Sequence, residues 1–349
     1  MKNIIYGAGE YGKIFLIGLE KEGIKIDCFI DENYSEKTCL GKKVYKNINN
    51  KNSKVYISVL KHSKKIKEKL TKKGYKYVFD FTKSVMSSRF ILQESSKLNH
   101  LWLVEDKDKM FSEKIYDFKE LLRDKKSINL LENITKLRLS LDPQYYTIPE
   151  GIEYFPADVP ILNNLEKIKF VDCGAYIGDT IEELMKQKKE VAFSISFEPD
   201  HSNLVMLNNQ LKKQKENFPN TNFFIYPTGV YSKNTFLLFD NNKISSSSNI
   251  TTQDSNTKIL VVNLDDTIFS AAPNYLKMDI EGVEKEAILG SKNIIQKYKP
   301  NLAICLYHKP QDLWELPLLI HKIEPTYDMY LRVHEDMGLS TVLYCIARR

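Results

Sequence analysis

Phe170-Val171-Asp172-Cys173-Gly174-Ala175-Tyr176-Ile177-Gly178-Asp179-Thr180 is the stretch on which the reading of the fold turns. Ile168, Phe170 and Val171 read as a buried strand. The strand runs into an aspartate, two glycines four apart, and an amphipathic helix opening near Asp179. Glycine adopts positive φ and lets backbone approach a ligand that a Cβ would block. The first turn of the following helix presents free N–H groups and the positive end of its dipole. A strand, a glycine turn and a helix in that order predict a nucleotide-type cofactor site.

Outward toward the C-terminus, strand and helix alternate. The first strand leads to a helix over 179–189. Val191 to Phe197 ends at Glu198-Pro199, followed by a helix over 200–217. Asn222 to Tyr226 is the next strand, with an antiparallel excursion over 235–239 and 258–262 after it. Tyr275 to Met278 ends at Asp279 before a helix over 284–298, and Leu302 to Leu306 ends at Tyr307-His308 before a helix over 311–323. Residues 327–333 and 340–346 read as a closing hairpin. This alternation predicts an α/β fold with a doubly wound parallel sheet and a terminal antiparallel hairpin.

Ligands of such a sheet sit at the C-terminal strand ends. Those ends offer Asp172, Gly174 and Gly178, then Glu198, then Asp279, Glu281 and Gly282, then Tyr307, His308 and Lys309, and finally Arg332 and His334 at the hairpin tip. The Asp-x-Gly-x-x-x-Gly spacing has one more residue between its last glycines than Gly-x-Gly-x-x-Gly. With a carboxylate at the strand end, it fits a methionine-bearing nucleoside, S-adenosylmethionine, better than a dinucleotide. Asp172 is expected near the ligand's ammonium, directly or through water. Glu198 is expected to accept the ribose hydroxyls, or otherwise to serve as a charge at a helix N-terminus. The expected cofactor set is Asp172, Gly174, Tyr176, Gly178, Thr180, Glu198 and Asp279.

Toward the N-terminus a second glycine turn appears. Ile4-Ile5-Tyr6-Gly7-Ala8-Gly9-Glu10-Tyr11-Gly12 matches Gly-x-Gly-x-x-Gly after a short strand, and a strand over 26–30 ends at Asp31. A carboxylate about 20 residues beyond the glycines is where a Rossmann unit binds ribose. Strands over 54–59 and 77–80 and a Lys-rich helix over 63–74 complete a small Rossmann-like α/β domain, residues 1–85. With Gly7, Gly9, Gly12 and Phe29-Ile30-Asp31 it resembles the nucleotide-sugar-binding domain at the front of bacterial sugar acetyltransferases. The resemblance implies a nucleotide or nucleotide-sugar on Gly7, Gly9, Glu10, Tyr11, Gly12 and Asp31. A vestigial unit that binds nothing is the alternative. Residues 86–165 read as a helical bridge or lid, with helices over 112–123 and 127–140 and a break at Asp142-Pro143. Residues 166–349 form the main domain.

Composition sets the frame. A chain of 349 residues exceeds what one core usually organises. No apolar run nears the roughly 20 residues needed to span a bilayer, and the N-terminus passes straight into a strand without signal-peptide architecture, so a cytoplasmic protein is expected. Five scattered cysteines without a Cys-x-x-Cys pair fit reduced thiols in strands rather than a structural zinc site. Net charge is +6, and the lysines of 61–73 read as a solvated helix face. No aromatic-interleaved basic stripe points to nucleic acid. Ser245 to Asn249 reads as an exposed turn or loop. Self-association is left open.

Val171 to Thr180, Phe197-Glu198-Pro199, Val262-Asn263-Leu264-Asp265-Asp266 and Leu276-Lys277-Met278-Asp279-Ile280-Glu281-Gly282-Val283-Glu284 resemble, in order and spacing, the motif series of FkbM-type methyltransferases. The resemblance covers roughly residues 165–349. It implies a class I S-adenosylmethionine-dependent fold that methylates a hydroxyl of a sugar or natural product. Tyr307-His308-Lys309-Pro310-Gln311-Asp312-Leu313-Trp314 resembles a bacterial subgroup found with surface-glycan genes. The expected function is O-methylation of a sugar hydroxyl in a surface glycan or its nucleotide-sugar precursor. The alternatives are a nucleotide-sugar- or NAD-binding protein working through residues 7–12, with the second domain as scaffold, and a non-catalytic glycan-assembly module.

A sugar hydroxyl is a poor nucleophile until its proton leaves, so a base within reach is required. His308 is the first choice, because imidazole titrates near neutral pH. Asp279 orients it, serves as base, or faces the methionine end of the cofactor, and Glu281 has the same options or binds a metal with Asp279. Asp-x-Glu spacing does not by itself select a metal, and none is assigned. His334 reads as a hairpin-turn residue. Lys277 in mid-strand needs a buried partner, with Asp265 or Asp266 expected.

Overall fold

The computed structural model describes residues 1–96, 111–187, 189–239, 250–251 and 257–348. The chain divides into two compact units. Met1–Phe111, Asn129–Pro149 and Glu335–Leu339 make the first, and Ser112–Ile128, Glu150–His334 and Ser340–Arg349 the second. The segment 86–165, expected as one bridge, is thus shared between the units, and the tip of the C-terminal hairpin belongs to the first. The serine run 245–249 lies outside the described residues.

In the first unit, strands β1 (Asn3–Tyr6), β2 (Cys28–Ile30), β3 (Thr38–Cys39), β4 (Lys42–Tyr45), β5 (Lys54–Ile57) and β6 (Tyr77–Phe79) form a sheet in the order β3-β4-β2-β1-β5-β6. Every pairing is parallel except β3 with β4. The helix Glu10–Lys21 buries Phe15, Leu16 and Leu19 in a core with Ile5, Phe29 and Tyr56. Sequence reading missed the β3–β4 hairpin. Its turn, Leu40-Gly41, has positive φ at both residues, as a two-residue hairpin requires, but carries a leucine where Asn or Asp would signal it. The helix Ser63–Lys72 buries only Ser63 and Leu70, so its lysines form the expected solvated face.

The second unit contains β7 (Lys167–Cys173), β8 (Glu190–Phe197), β9 (Asn222–Tyr226), β10 (Gly229–Val230), β11 (Thr235–Phe239), β12 (Ile250–Thr251), β13 (Thr257–Val262), β14 (Tyr275–Met278), β15 (Asn301–Cys305), β16 (Asp328–Val333) and β17 (Thr341–Ile346). Its main sheet runs β16-β17-β15-β14-β7-β8-β9. The pairings from β15 through β9 are parallel, and β17 lies antiparallel to both β15 and β16. A smaller sheet, β10-β13-β11-β12, carries the antiparallel excursion. Ile168, Phe170, Ile181, Leu184, Leu207 and Tyr275 share one core. The near-continuous apolar runs of β14 and β15 reflect strands covered on both faces.

The helix expected over 284–298 is two helices, Glu284–Leu289 and Lys292–Tyr298. They part at Gly290, where a Cβ would lie 2.2 Å from the Tyr231 carbonyl oxygen. All five cysteines are free and buried, and each lies in a strand. No helix among the described residues is long and apolar enough to cross a membrane.

Candidate active site

The chain leaves β7 toward β8 on one side and returns through β14 on the other, so the strand order reverses between β7 and β14. A crevice at the carboxyl ends of strands at such a reversal is where open α/β sheets bind ligands. The two strand ends are locked together. Asp279 N donates to the Cys173 carbonyl at 3.1 Å. A Cβ on Gly174, whose φ is +79°, would stand 1.8 Å from the Asp279 carbonyl oxygen. Only glycine fits there.

Lys277 is registered beside Asp172 on the neighbouring strand. Its Nζ lies 3.0 Å from Asp172 Oδ1, and the side chains are 3% and 0% exposed. The same ammonium donates to the Gly174 carbonyl at 2.6 Å. Lys277 therefore pairs with Asp172, not with Asp265 or Asp266 as expected. Asp265 instead accepts from the N–H groups of Asn293 and Ile294 at the start of the next helix. The expectation fails because a cross-strand neighbour in register is nearer than the carboxylates of the Leu264–Ile268 helix. Burial pushes the Asp172 carboxyl up to about 6 against the pull of Lys277. Burial would lower the Lys277 ammonium, but Asp172 outweighs it and holds Lys277 above its ordinary range. Asp172 is fully buried and acts on the Gly174 turn through Lys277.

At the end of β8, Glu198 gathers the turn. Its Oε2 accepts from Tyr176 N at 2.9 Å and its Oε1 from Asp200 N at 2.9 Å. Burial raises its carboxyl, and these donors oppose the rise. Oε1 also accepts from Asn203 Nδ2 at 3.4 Å, so Oε2 is the oxygen that retains a lone pair for a further donor. Gly178 sits at the start of the helix Asp179–Lys186 with no side chain capping it. The Gln210 side chain passes within 3.2 Å of where a Gly178 Cβ would be. The Gln210 amide nitrogen and the Thr228 hydroxyl are buried without partners. These groups fit a nucleoside with a ribose diol and polar edges. Thr180 is buried in the first turn of the helix.

The acidic cluster lies just past β14 and β15. Asp279 accepts from Tyr154 Oη at 2.7 Å and Tyr307 Oη at 3.0 Å. His308 Nε2 lies 3.3 Å from Asp279 Oδ1 and 3.7 Å from Glu281 Oε2, while Nδ1 lies 2.8 Å from Glu284 Oε1. Glu284 Oε1 also accepts from Ile280 N at 2.9 Å. Positive φ at Glu281 and Gly282 folds the chain back to allow this. Burial would lower the His308 imidazole, but Glu284 and Asp279 hold it well above its usual range. Burial would raise Asp279, yet His308 and Lys277 keep it below the usual carboxylate range. Burial pushes Glu281 up to about 7 and Asp312, which faces Glu284, to about 7.

The structure thus brings together Asp279, Glu281 and His308 as the sequence grouped them. It adds Glu284, Tyr154 and the Tyr307 hydroxyl. Glu284 ends the Lys-x-Asp-x-Glu-Gly-x-Glu element, where it reads as a charge in a helix's first turn. Tyr154 carries no sequence signal beyond an aromatic, turn-rich stretch. Two hairpin residues leave the ligand face. Arg332 is bound to Asp124 and Asp158, and His334 bridges the Glu150 carbonyl and Tyr344 Oη, each at 2.8 Å.

In the first unit, the Gly7–Gly12 turn is explained by packing at two of its glycines. A Cβ at Gly7 would meet Ser58 Oγ at 2.8 Å, and one at Gly12 the Gly7 carbonyl at 2.2 Å, whereas Gly9 faces open space. Asp31 accepts from Ala8 N, Asn33 N and Tyr34 N, so its carboxylate braces the turn and its own loop. Tyr11 packs edge-on to Phe81, and Glu10 opens the helix.

A seven-stranded sheet with an antiparallel hairpin, glycine turn, strand-end glutamate and acidic cluster at its reversal point defines a class I-like methyltransferase fold. Residues 172–333 match the family model described as the methyltransferase FkbM domain. That domain supports methyltransferase activity, and methyltransferases of this kind generally use S-adenosylmethionine. The crystal structure of methyltransferase FkbM from Methylobacillus flagellatus KT is similar, with a TM-score of 0.62 and 20% identity, covering 99% of this chain and 90% of that one. At that identity the likeness is one of fold. No curated protein matches the sequence.

Proposed function

We propose that the chain is an S-adenosylmethionine-dependent O-methyltransferase whose acceptor is a sugar hydroxyl, in a surface glycan or its nucleotide-sugar precursor. The observation that carries this reading is the fusion of the glycine turn to the acidic cluster, with the Asp279 backbone closed onto both Cys173 and Gly174. Cofactor and acceptor are then handled side by side. Glu198 would take the ribose hydroxyls, and the Gly174–Gly178 turn the methionine portion. Gln210 and Thr228 would meet remaining polar edges. Bound there, S-adenosylmethionine supplies a methyl group on a sulfonium, already activated toward an oxygen nucleophile.

What the chain adds is orientation and a place for the acceptor's proton. Glu281, with 32% of its side chain exposed, is the member of the cluster most open to an incoming hydroxyl, while His308 is only 7% exposed. We assign proton removal to Glu281. Asp279 and His308 position it and the acceptor. An uncharged sugar ring at the reacting hydroxyl suits this anionic pocket better than an acidic group there, since like charges repel. Calorimetry of the full chain with S-adenosylmethionine tests the reading. Saturable one-to-one binding is expected, lost in Gly174→Ala because its Cβ meets a backbone carbonyl. No saturable binding by the parent chain would overturn it.

A further inference from the structure

The acidic cluster holds three carboxylates around one imidazole, and several of its buried polar atoms are unanswered. Glu284, 1% exposed, has no hydrogen-bond partner on Oε2. Neither ring nitrogen of His308 makes an aligned hydrogen bond, although Glu284 Oε1 lies 2.8 Å from one and Asp279 Oδ1 3.3 Å from the other. These two contacts are made to opposite ring nitrogens, Nδ1 and Nε2, and one ion takes only one of them, so a common ion rests on one donor atom from each residue standing close to the others. Two atoms bound at about 2.1 Å at right angles to each other stand about 3 Å apart. One atom each from Asp279, Glu284 and His308 lies within 4.8 Å of the others. We propose that Asp279, Glu284 and His308 form a site for one divalent cation of the Mn²⁺ class, open on the side of Glu281.

The surroundings match such a site. Tyr154 and Tyr307 fix the Asp279 carboxylate, and Ile280 N fixes Glu284 Oε1, so the donors are oriented from behind as metal ligands usually are. Two carboxylates and an imidazole favour borderline divalent ions over Ca²⁺, which takes an all-oxygen shell. Three protein ligands leave coordination positions free for an acceptor oxygen. Resting on the methyltransferase reading, this gives the ion a purpose. It polarises the acceptor hydroxyl while Glu281 takes the proton, and His308 serves as ligand, not base. A second trio, Glu153, Asp279 and Cys305, shares Asp279, but Cys305 Sγ already faces Tyr154 Oη at 3.6 Å.

The test uses the full chain, stripped with chelator and desalted, then titrated with Mn²⁺ and followed by loss of the free-ion electron paramagnetic resonance signal. One saturable site per chain is expected, with pulsed spectra showing coupling to an imidazole nitrogen. His308→Gln should abolish that coupling, and His308→Gln and Glu284→Gln should each weaken binding at least about 100-fold. Circular dichroism verifies that the variants fold. No saturable Mn²⁺ or Zn²⁺ binding would overturn the proposal, as would equal affinity in both folded variants. S-adenosylmethionine calorimetry on the same samples separates the two claims. Cofactor binding without cation binding sinks only the metal site, whereas loss of both sinks the methyltransferase reading as well.

Discussion

Replacing Lys277 by Met should unfold more than one strand's worth of stability. The ammonium stands 3.0 Å from Asp172 Oδ1 and donates to the Gly174 carbonyl at 2.6 Å. At an effective dielectric of about 20, two unit charges at that distance attract by about 5–6 kcal/mol. Methionine matches the lysine stem in volume, so the loss is electrostatic. Asp172 is left as a buried acid without its cation, which costs about 3–5 kcal/mol in such pairs. For a unit of this size each kcal/mol moves the melting midpoint by about 2–4 °C. Lys277→Met should therefore melt about 6–20 °C lower by scanning calorimetry of the full chain. The turn loses the donor to Gly174, so S-adenosylmethionine affinity should fall with it. Removing both charges together, in Asp172→Leu/Lys277→Met, should recover most of the loss, since apolar replacements of a buried pair are often neutral. A single variant melting within about 2 °C of the parent would refute the reasoning. So would a double variant no more stable than Lys277→Met.

Two further outcomes follow from the geometry. Gly9→Ala should change stability by less than about 0.5 kcal/mol, since nothing stands within 4 Å of its Cβ, whereas Gly12→Ala meets the Gly7 carbonyl at 2.2 Å and should cost about 1–3 kcal/mol. Equal effects in a denaturant titration would show that packing does not set the turn. Burial lowers the His334 imidazole to about 4, against about 6.5 when unfolded. Native His334 is neutral where the unfolded residue is charged, so its contribution is fully present above pH 6.5 and is lost as pH falls through 4. The loss amounts to about 3 kcal/mol. Unfolding midpoints between pH 4 and 7 should vary less steeply in His334→Gln than in the parent, and parallel curves would contradict this.

The order of elements is legible in the sequence because parallel strands buried on both faces leave unmistakable apolar runs, each closed by a polar strand end. The glycine turn, Glu198, Asp279, Glu281 and His308 follow from that order alone. What escapes is whatever depends on neighbours distant in sequence. The partner of Lys277 is set by strand register, which no local pattern encodes. The break at Gly290 answers a carbonyl on a loop some sixty residues earlier. The Leu40-Gly41 hairpin lacks the usual turn chemistry. Glu284 looks like a helix-terminal charge until positive φ at Glu281 and Gly282 turns it toward His308. Tyr154 enters from a loop whose aromatic residues have no periodicity at all.

Register also explains why the second glycine turn differs in kind from the first. At Gly7–Gly12 the carboxylate downstream, Asp31, spends its hydrogen bonds on the turn and its own loop. At Gly174–Gly178 the corresponding work is divided. Asp172 and Lys277 brace the turn from within the sheet, and Asp279 N closes it onto β14. Glu198 holds Tyr176, leaving Asp279, Glu281, Glu284 and His308 beyond the strand ends. A turn stiffened from below frees the groups above it for chemistry. Because Asp279 follows Lys277 by two residues, just past the end of β14, loosening the turn also shifts the acidic cluster. Cofactor affinity and cation affinity should therefore fall together in Lys277→Met, whereas His308→Gln should lower only the second.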